Sequence, residues 1–513
     1  MRHSRLAVAG LLLAQLLGGP ASADAVTEWN QNGLWAAKGF NGHGGGTGQV
    51  LNSNLTTRIL AIQARAMFDA INAITHFSAR SYHYSGRHHG GSPAAAAIQA
   101  AHDVLLAQLP DPDAPGSKAD PLWRQTRSWV RAQREQALRE QGIASNDPGL
   151  AAGQAAAAAA NRARLGDGSK PSRSYGADLP PDSNPGVGLW RQTNSGAQGV
   201  NAATGAPTGF DTSGRVILGK PGIDFQWPGL KPFSLTLQER RQLVEALPAA
   251  LAVNSPEERA EREFVQAIGS ENASRRSPDQ NAQALYYKLD AEVIVLEAAQ
   301  LASRSRGLSL QQNARLFAAL NNTLADARIA TFASKYEQKV WRPITVLNAD
   351  PDGRVTNGYS RWRPLAATPN HPSNTSGHSA TGAAGFELLR SFFSTDRIAV
   401  DGSAVTLGSL PWLKGTNNGT GKVERRQVRS FSQAQLENGA SRLYLGVHLG
   451  HDNLQGQLLG LAVTETILRH QRDPAAEGLK VTTAFPGSPG RLPTTLLSQP
   501  ELYGLFGLKA STR

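Results

Sequence analysis

The 513 residues contain no cysteine, and that absence removes disulfides, thiolate nucleophiles and cysteine-bound metals from consideration. Stability must come from packing and polar contacts. Long apolar runs are also missing: beyond the N-terminal region nothing approaches the roughly 20 apolar residues that a membrane-spanning helix needs. No transmembrane segment is therefore expected. Aromatic residues make up only 6% of the chain, and no lysine- and arginine-rich block is interleaved with them. The basic excess of +12 is accordingly read as a surface property that attracts anionic substrates, and nucleic acid is not expected as a partner.

Several familiar site patterns are missing as well. No G-x-S-x-G elbow occurs, so the usual strand-to-helix serine nucleophile is excluded. The glycines of Gly415 to Lys422 are wrongly spaced for a phosphate-binding loop, and Val423 stands where Ser or Thr is required. Asp350 to Gly353 starts like a calcium loop but lacks the remaining oxygen ligands and the closing glutamate, so it reads as a turn. His83, His88 and His89 fall in a Gly/Ser-rich stretch and read as solvated loop histidines.

At the N-terminus, Arg2 and Arg5 precede an apolar run from Leu6 to Leu17 and a small-residue site, Ala21 to Ala23. This is the pattern of a cleaved secretory leader over residues 1–23, which predicts a periplasmic or secreted protein. Loss of Arg2 and Arg5 with it would leave the charge at +10.

Helical periodicity dominates the rest. Leu60, Ala64, Met67, Ile71 and Ile74 mark a core helix, and Ser92-Pro93 opens an alanine-rich one running to Leu109. Further helices are predicted over about Ala119–Glu140, Pro148–Leu165, Thr236–Leu251, Asn281–Ser303 and Ser309–Val340, with a short hairpin over Ile398–Leu407. Residues 166–233 are rich in Gly, Pro, Ser and Asn and read as an ordered loop or linker. The expectation is an all-α protein with a helical region at 24–165, that linker, and a helical-bundle region at 234–513, the two helical regions being compatible with one domain.

Three segments of the last third carry chemistry. In KYEQKVWRP, Lys335 and Arg342 are seven residues apart, which on a continuous helix would project both cations from one face, and Pro343 makes Arg342 helix-terminal. In HPSNTSGHSATG, a helix is expected to begin near Ser376; its free first-turn amides, Gly377 for close approach and the Ser376 hydroxyl form an anion site with His378 beside it as proton donor or acceptor. In SRLYLGVHLGHD, Arg442 adds a forked donor, and Asp452, four residues after His448, would hold one imidazole nitrogen protonated and leave the other as a lone pair. Each segment alone also fits something ordinary: a wet basic helix face, a routine N-cap, a surface ion pair. Together they supply the different parts of one tetrahedral-oxyanion pocket.

Lys335 with Arg342-Pro343, then Ser376-Gly377-His378, then Ser441-Arg442 with His448 and Asp452 resemble the three signature motifs of the vanadium-dependent haloperoxidases, which share their pocket with type 2 phosphatidic acid phosphatases and bacterial acid phosphatases. The stretches VTEWN, AMFDAINAI and Phe431 to His448 are similar in style to bacterial secreted members. The resemblance implies an all-α fold and a vanadate cofactor whose site also admits phosphate. It implies that His448 bonds vanadium, that Lys335, Arg342, Arg442, Ser376 and the Gly377 amide hold the oxygens, that His378 is the acid–base group, and that Asp452 orients His448. Hydrogen peroxide, a halide and an organic acceptor would be the partners. Thr375 departs from the proline usual before the serine, with little expected effect. His371, seven residues before His378 where algal bromoperoxidases also carry histidine, favours bromide or iodide over chloride as substrate. A soluble periplasmic acid phosphatase working through a phosphohistidine at His448 is the alternative that these motifs leave open. Oligomeric state is not legible in the sequence.

Overall fold

A computed structural model describes residues 24–38, 51–76, 80–114, 120–170, 186–191, 222–349, 362–409 and 425–482. The expected leader, the Gly415–Lys422 loop and the Asp350–Gly353 turn lie outside the described residues. Among those described, no helix is long and apolar enough to cross a membrane.

The first half is built from α1 (Ala25–Lys38), α2 (Ser53–Thr75), α3 (Pro93–Gln108), α4 (Pro121–Glu140) and α5 (Pro148–Ala163). The starts of α3, α4 and α5 are local: Ser92, Asp120 and Asp147 accept first-turn amides, and a proline follows each where no donor is lost. The second half contains α6 (Leu237–Glu245), α7 (Pro256–Ile268), α8 (Pro278–Tyr286), α9 (Ala291–Arg306), α10 (Leu310–Gln338), α11 (Pro343–Val346), α12 (Gly377–Phe393), α13 (Phe431–Tyr444) and α14 (Gly450–His470). Only one small sheet is described, an antiparallel pair of β1 (Val405–Leu407) and β2 (Arg426–Val428). The chain is all-α, as its periodicity predicts.

At the centre lies α10, 29 residues long and buried on every face from Asn313 to Tyr336 apart from Arg315. A helix so enclosed needs small and apolar residues round most of its surface, and Ala325, Ala327, Ile329, Ala330, Phe332 and Ala333 supply them, with Asp326 and Arg328 buried among them. It packs on α2 to one side and on α12 and α14 to the other. One buried apolar cluster consequently runs from Ala25 to Ala476 through both helical regions.

The approach of α14 to α12 positions the site. A Cβ on Gly456 would lie 2.6 Å from the Ser376 carbonyl oxygen, and one on Gly460 2.2 Å from that of Ala380. Backbone therefore rests on backbone, and the first turn of α14 abuts the first turn of α12, where the Ser376 amide donates to the Asp452 carbonyl at 2.9 Å.

Several expected boundaries move. The helix expected over Asn281–Ser303 is two, α8 and α9, broken at residues 287–290, with Asp290 at the second N-cap. The helix expected to run to Leu251 stops at Glu245, and Pro248 follows in the sequence. No hairpin forms within Ile398–Leu407, because Val405–Leu407 pairs with Arg426–Val428 further along. Finally α10 stops at Gln338: Lys339 caps it in the left-handed region at φ 52°, so Arg342 does not share the face of Lys335 through a continuous helix. It is instead the N-cap of α11, with Pro343 at N1.

Candidate active site

Five of the sequence-identified polar side chains, Lys335, Arg342, Ser376, His448 and Asp452, are buried at 2% exposure or less, and Arg442 at 5%. Lys335 comes from the last turns of α10, where its ammonium donates to the carbonyls of Pro372 and Ser373, each at 2.8 Å. An ammonium has three donors, so one remains for a ligand. Burial, then Arg342, holds Lys335 well below the ordinary lysine value, and Asp452 opposes that shift.

Although it leaves the helix, Arg342 turns back into the same pocket. Its Nε donates to the His371 carbonyl at 2.9 Å and its Nη1 to that of Val447 at 2.8 Å. Two imidazoles complete its contacts, Nη1 lying 3.1 Å from His448 Nε2 and Nη2 2.9 Å from His371 Nδ1. A guanidinium can only donate, so His448 Nε2 accepts and His448 carries its proton on Nδ1. His371 Nδ1 also lies 3.2 Å from the Pro372 carbonyl, which can only accept, so its two contacts call for opposite tautomers.

His448 lies in the link before α14, and Asp452 is the third residue of that helix. The contact expected from a shared helix face is made instead by helix-start geometry, since the Oδ2 that meets His448 Nδ1 at 3.1 Å also accepts the Leu449 amide at 3.0 Å. Ser373 donates to the same oxygen at 2.5 Å. Burial would raise the carboxyl of Asp452, but His451 and His448 together with Ser373 hold it well below the usual carboxylate range. Burial, reinforced by Arg342, pushes His448 well below the usual imidazole value, so its Nε2 presents a lone pair at neutral pH.

As expected, Ser376 is the N-cap of α12. Its hydroxyl accepts both the Ser379 amide, at 3.3 Å, and the Ser379 hydroxyl, at 2.8 Å, which leaves its own hydrogen to donate elsewhere. The Gly377 amide belongs to the first turn and lacks an intrahelical acceptor. Half-buried His378 donates from Nε2 to the Leu289 carbonyl at 3.1 Å, leaving Nδ1 as the lone pair. The sequence offered His378 as a proton donor or acceptor, whose free imidazole value is about 6.5. Burial, then Arg442 and Arg328, instead push it well below 6.5, opposed by Asp290.

Residues the motifs do not reveal complete the surroundings. The break between α8 and α9 brings Leu289 and Asp290 beside His378. Asp290 would be raised by burial, but Lys38 at 2.6 Å and His378 hold it below the usual carboxylate range. Arg442, whose buried Nε has no hydrogen-bond partner among the described residues, is pushed down to about 10 by burial and eased by Asp290. Arg328, one face with Lys335 on α10, reaches Gly377: a Cβ there would meet its Nη1 at 2.8 Å. His371 stands 5.1 Å from the Phe332 ring and is itself held well below 6.5 by burial, Lys335 and Arg342. The three loop histidines are elsewhere; His83 contacts Arg65 at 3.3 Å and His88 the Tyr84 hydroxyl at 2.7 Å.

The donor set fits a tetrahedral oxyanion. Lys335, Arg342 and Arg442 are buried cations with no carboxylate oxygen within 4.0 Å among the described residues, and the buried Nε–H of Arg442 has no hydrogen-bond partner among them. Adding the Ser376 hydroxyl, the Gly377 amide and the His448 lone pair gives donors for the oxygens and one ligand for the central atom.

Comparison with known proteins places this architecture. Residues 315–477 match the family model described as the VCPO second helical-bundle domain, the span that holds every pocket residue named in the three motifs. Vanadium chloroperoxidase of Curvularia inaequalis is 28% identical over 230 residues, which is 35% of this chain and 37% of the length of that protein. The solved structure titled as the first bacterial vanadium-dependent iodoperoxidase superposes with TM-score 0.62 at 17% identity, covering 86% of this chain and 96% of that one. A holo-type bacterial vanadium-dependent chloroperoxidase superposes with TM-score 0.57 at 16% identity, covering 82% and 93%. The family-model match falls on the pocket-building helices, and the all-α arrangement is shared with both bacterial structures, so in its second helical bundle and in its fold the chain is similar to vanadium-dependent haloperoxidases.

Proposed function

We propose that the chain is a vanadate-dependent haloperoxidase that uses hydrogen peroxide to oxidise a halide to hypohalous acid, which then reacts with an organic acceptor. The observation that carries this reading is the His448 ring, with Nδ1–H aimed at Asp452 and Nε2 facing Arg342 in a pocket whose cations, Lys335, Arg342 and Arg442, have no carboxylate oxygen within 4.0 Å among the described residues. Bound vanadate would supply a Lewis-acidic centre that activates hydrogen peroxide for two-electron oxidation of halide, without itself changing oxidation state.

His448 would bond the metal through Nε2, and Asp452 would keep the ring in that tautomer. Lys335, Arg342, Arg442, Ser376 and the Gly377 amide would hold the oxygens, each charge-assisted bond contributing roughly 1.5 to 3 kcal/mol. Lys335, with one proton uncommitted, would polarise the oxygen that the halide attacks. His378 is the acid–base residue: at neutral pH its Nδ1 is unprotonated, accepts a proton from entering peroxide and returns it to the departing oxygen. His371, in contact with Arg342 at 2.9 Å, supports bromide or iodide over chloride as substrate through its likeness to the histidine of algal bromoperoxidases.

The test is to load purified protein with vanadate and follow peroxide-dependent bromination and iodination of a phenolic dye, alongside phosphate-ester hydrolysis by the vanadate-free protein. Halogenation is expected, faster with bromide or iodide than chloride. Ester hydrolysis without halogenation would replace this reading with that of a phosphatase.

A further inference from the structure

The cations of the three motifs do not exhaust the positive charge at this pocket. Arg328 and Lys335 are seven residues apart on the unbroken stretch of α10, so two turns place them on one face, roughly 10 Å apart along the axis. This is the geometry that the sequence suggested for Lys335 and Arg342, realised with a different partner.

The Arg328 side chain is held at its base and left open at its tip. Nε donates to Asn54 Oδ1 at 2.7 Å, and Asn54 Nδ2 in turn donates to Asp224 at 2.8 Å, as does Asn52. Phe332 lies beneath, its ring centre 5.3 Å from the guanidinium carbon. No hydrogen-bond acceptor for Nη1 or Nη2 is found among the described residues. Nη1 is pressed against Gly377, at the positive end of the α12 dipole, where a further cation is unfavourable unless an anion joins it.

Buried cations elsewhere in the chain are treated differently. Lys38 meets Asp290 at 2.6 Å, Arg58 and Arg164 meet Asp167 at 2.8 and 2.9 Å, and Arg390 meets Glu387 at 2.7 Å. Arg65 has no such carboxylate, but spends its guanidinium on Asn322 and the Phe233 carbonyl and stacks on two aromatic rings. Arg328 has no carboxylate within 4.0 Å among the described residues, Glu292, Asp290 and Asp224 acting on it only from further off, and it has one amide acceptor and one ring where Arg65 has two acceptors and two rings. Nor is it needed to neutralise Asp290 and Glu292, since Lys38 reaches both, at 2.6 and 3.0 Å. Its charge is felt by Lys335, His371, His378 and Arg442, each of which it disfavours in the protonated form.

Resting on the oxyanion-pocket reading above, we propose that Arg328 is a fourth cation of that pocket, positioned by Asn54 and seated against Gly377 to strengthen the retention of vanadate or phosphate. Glycine at 377 then has a second purpose beyond exposing its amide: it makes room for this guanidinium.

Equilibrium binding of inorganic phosphate and of vanadate to the full chain, measured by calorimetry with the melting temperature of each anion-free variant as control, tests the proposal. Removing one charge-assisted contact in Arg328→Gln should weaken both anions by about tenfold or more, and Arg328→Lys should recover most of that loss. Gly377→Ala should weaken binding in the parent but add little in Arg328→Gln, because its effect passes through the displaced guanidinium. A lower melting temperature in Arg328→Gln with anion affinities unchanged would make Arg328 merely structural and overturn the proposal. If the parent binds neither anion, the pocket reading falls and this inference with it; parent binding with an indifferent Arg328→Gln sinks only the inference.

Discussion

Asp452 holds His448 from the start of a helix rather than along one. Oδ2 of Asp452 caps the Leu449 amide at 3.0 Å and accepts His448 Nδ1–H at 3.1 Å, so one carboxylate oxygen sets both the entry of α14 and the orientation of the imidazole. The lone pair of His448 is aimed by the same contact that begins the helix.

Asp452→Asn should therefore reduce vanadate affinity by about 10- to 100-fold, the usual cost of removing such an orienting group. His448→Ala, which removes the ligand itself, should abolish detectable retention on desalting. Vanadium-51 resonance of the bound anion reads both, and parent-like affinity in His448→Ala would contradict the assignment of the metal ligand.

A different split is expected at His378. Its ring donates to the Leu289 carbonyl and leaves Nδ1 as a base, so His378→Ala should keep vanadate affinity within severalfold while turnover falls by about 10²- to 10⁴-fold, the range of general acid–base catalysis. Steady-state halogenation rates set against anion affinity provide the comparison. Equal losses in both would place His378 among the anion-holding groups instead.

His451 gives the pH dependence of stability a definite sign. Burial alone would lower its pKa, but Glu261 at 2.7 Å and Asp452 raise it from 6.5 to about 9. The folded protein thus binds the proton more tightly than the unfolded chain, and this contribution is complete below about pH 6.5 and is lost as pH rises through about 9. A shift of that size corresponds to at most about 3 kcal/mol, so urea midpoints should fall between those pH values in the parent. His451→Gln should be less stable at low pH and show a flatter profile over that window; an unchanged profile would remove His451 from the account.

The backbone contact between α12 and α14 should be intolerant of side chains. Because a Cβ at 460 would sit 2.2 Å from the Ala380 carbonyl oxygen, Gly460→Val should cost about 2 kcal/mol or more and pull Asp452 from Ser376. Thermal unfolding and phosphate affinity are expected to fall together. A variant as stable as the parent would show that the two helices can separate freely.

How much of this was legible in the chain depends on whether the signal was local. The helix starts expected at Ser92, Pro148, Ser309 and Ser376 rest on side chains and amides within three residues, and the structure places helix starts there. Helix ends were less legible, since nothing in the sequence of Lys339 requires the left-handed turn that stops α10 and releases Arg342. The break at residues 287–290 was hidden because Tyr287 and Leu289 continue an apolar pattern. β1 was misassigned because its partner, β2, lies about 20 residues away, beyond the reach of a hairpin signal.

The sequence by itself determined the all-α class, the exclusion of cysteine chemistry, and the list of cations and histidines in three motifs, because composition, periodicity and capping act over a few residues. Only the tertiary structure decided that Arg342 donates to His448 across 106 positions, that Asp290 and Leu289 stand beside His378, and that Arg328 shares the face of Lys335 and reaches Gly377. Those relationships arise where α10, α12 and α14 pack with small residues at their contacts, and the distance between two backbones is a property of the packed helices rather than of any one stretch of chain.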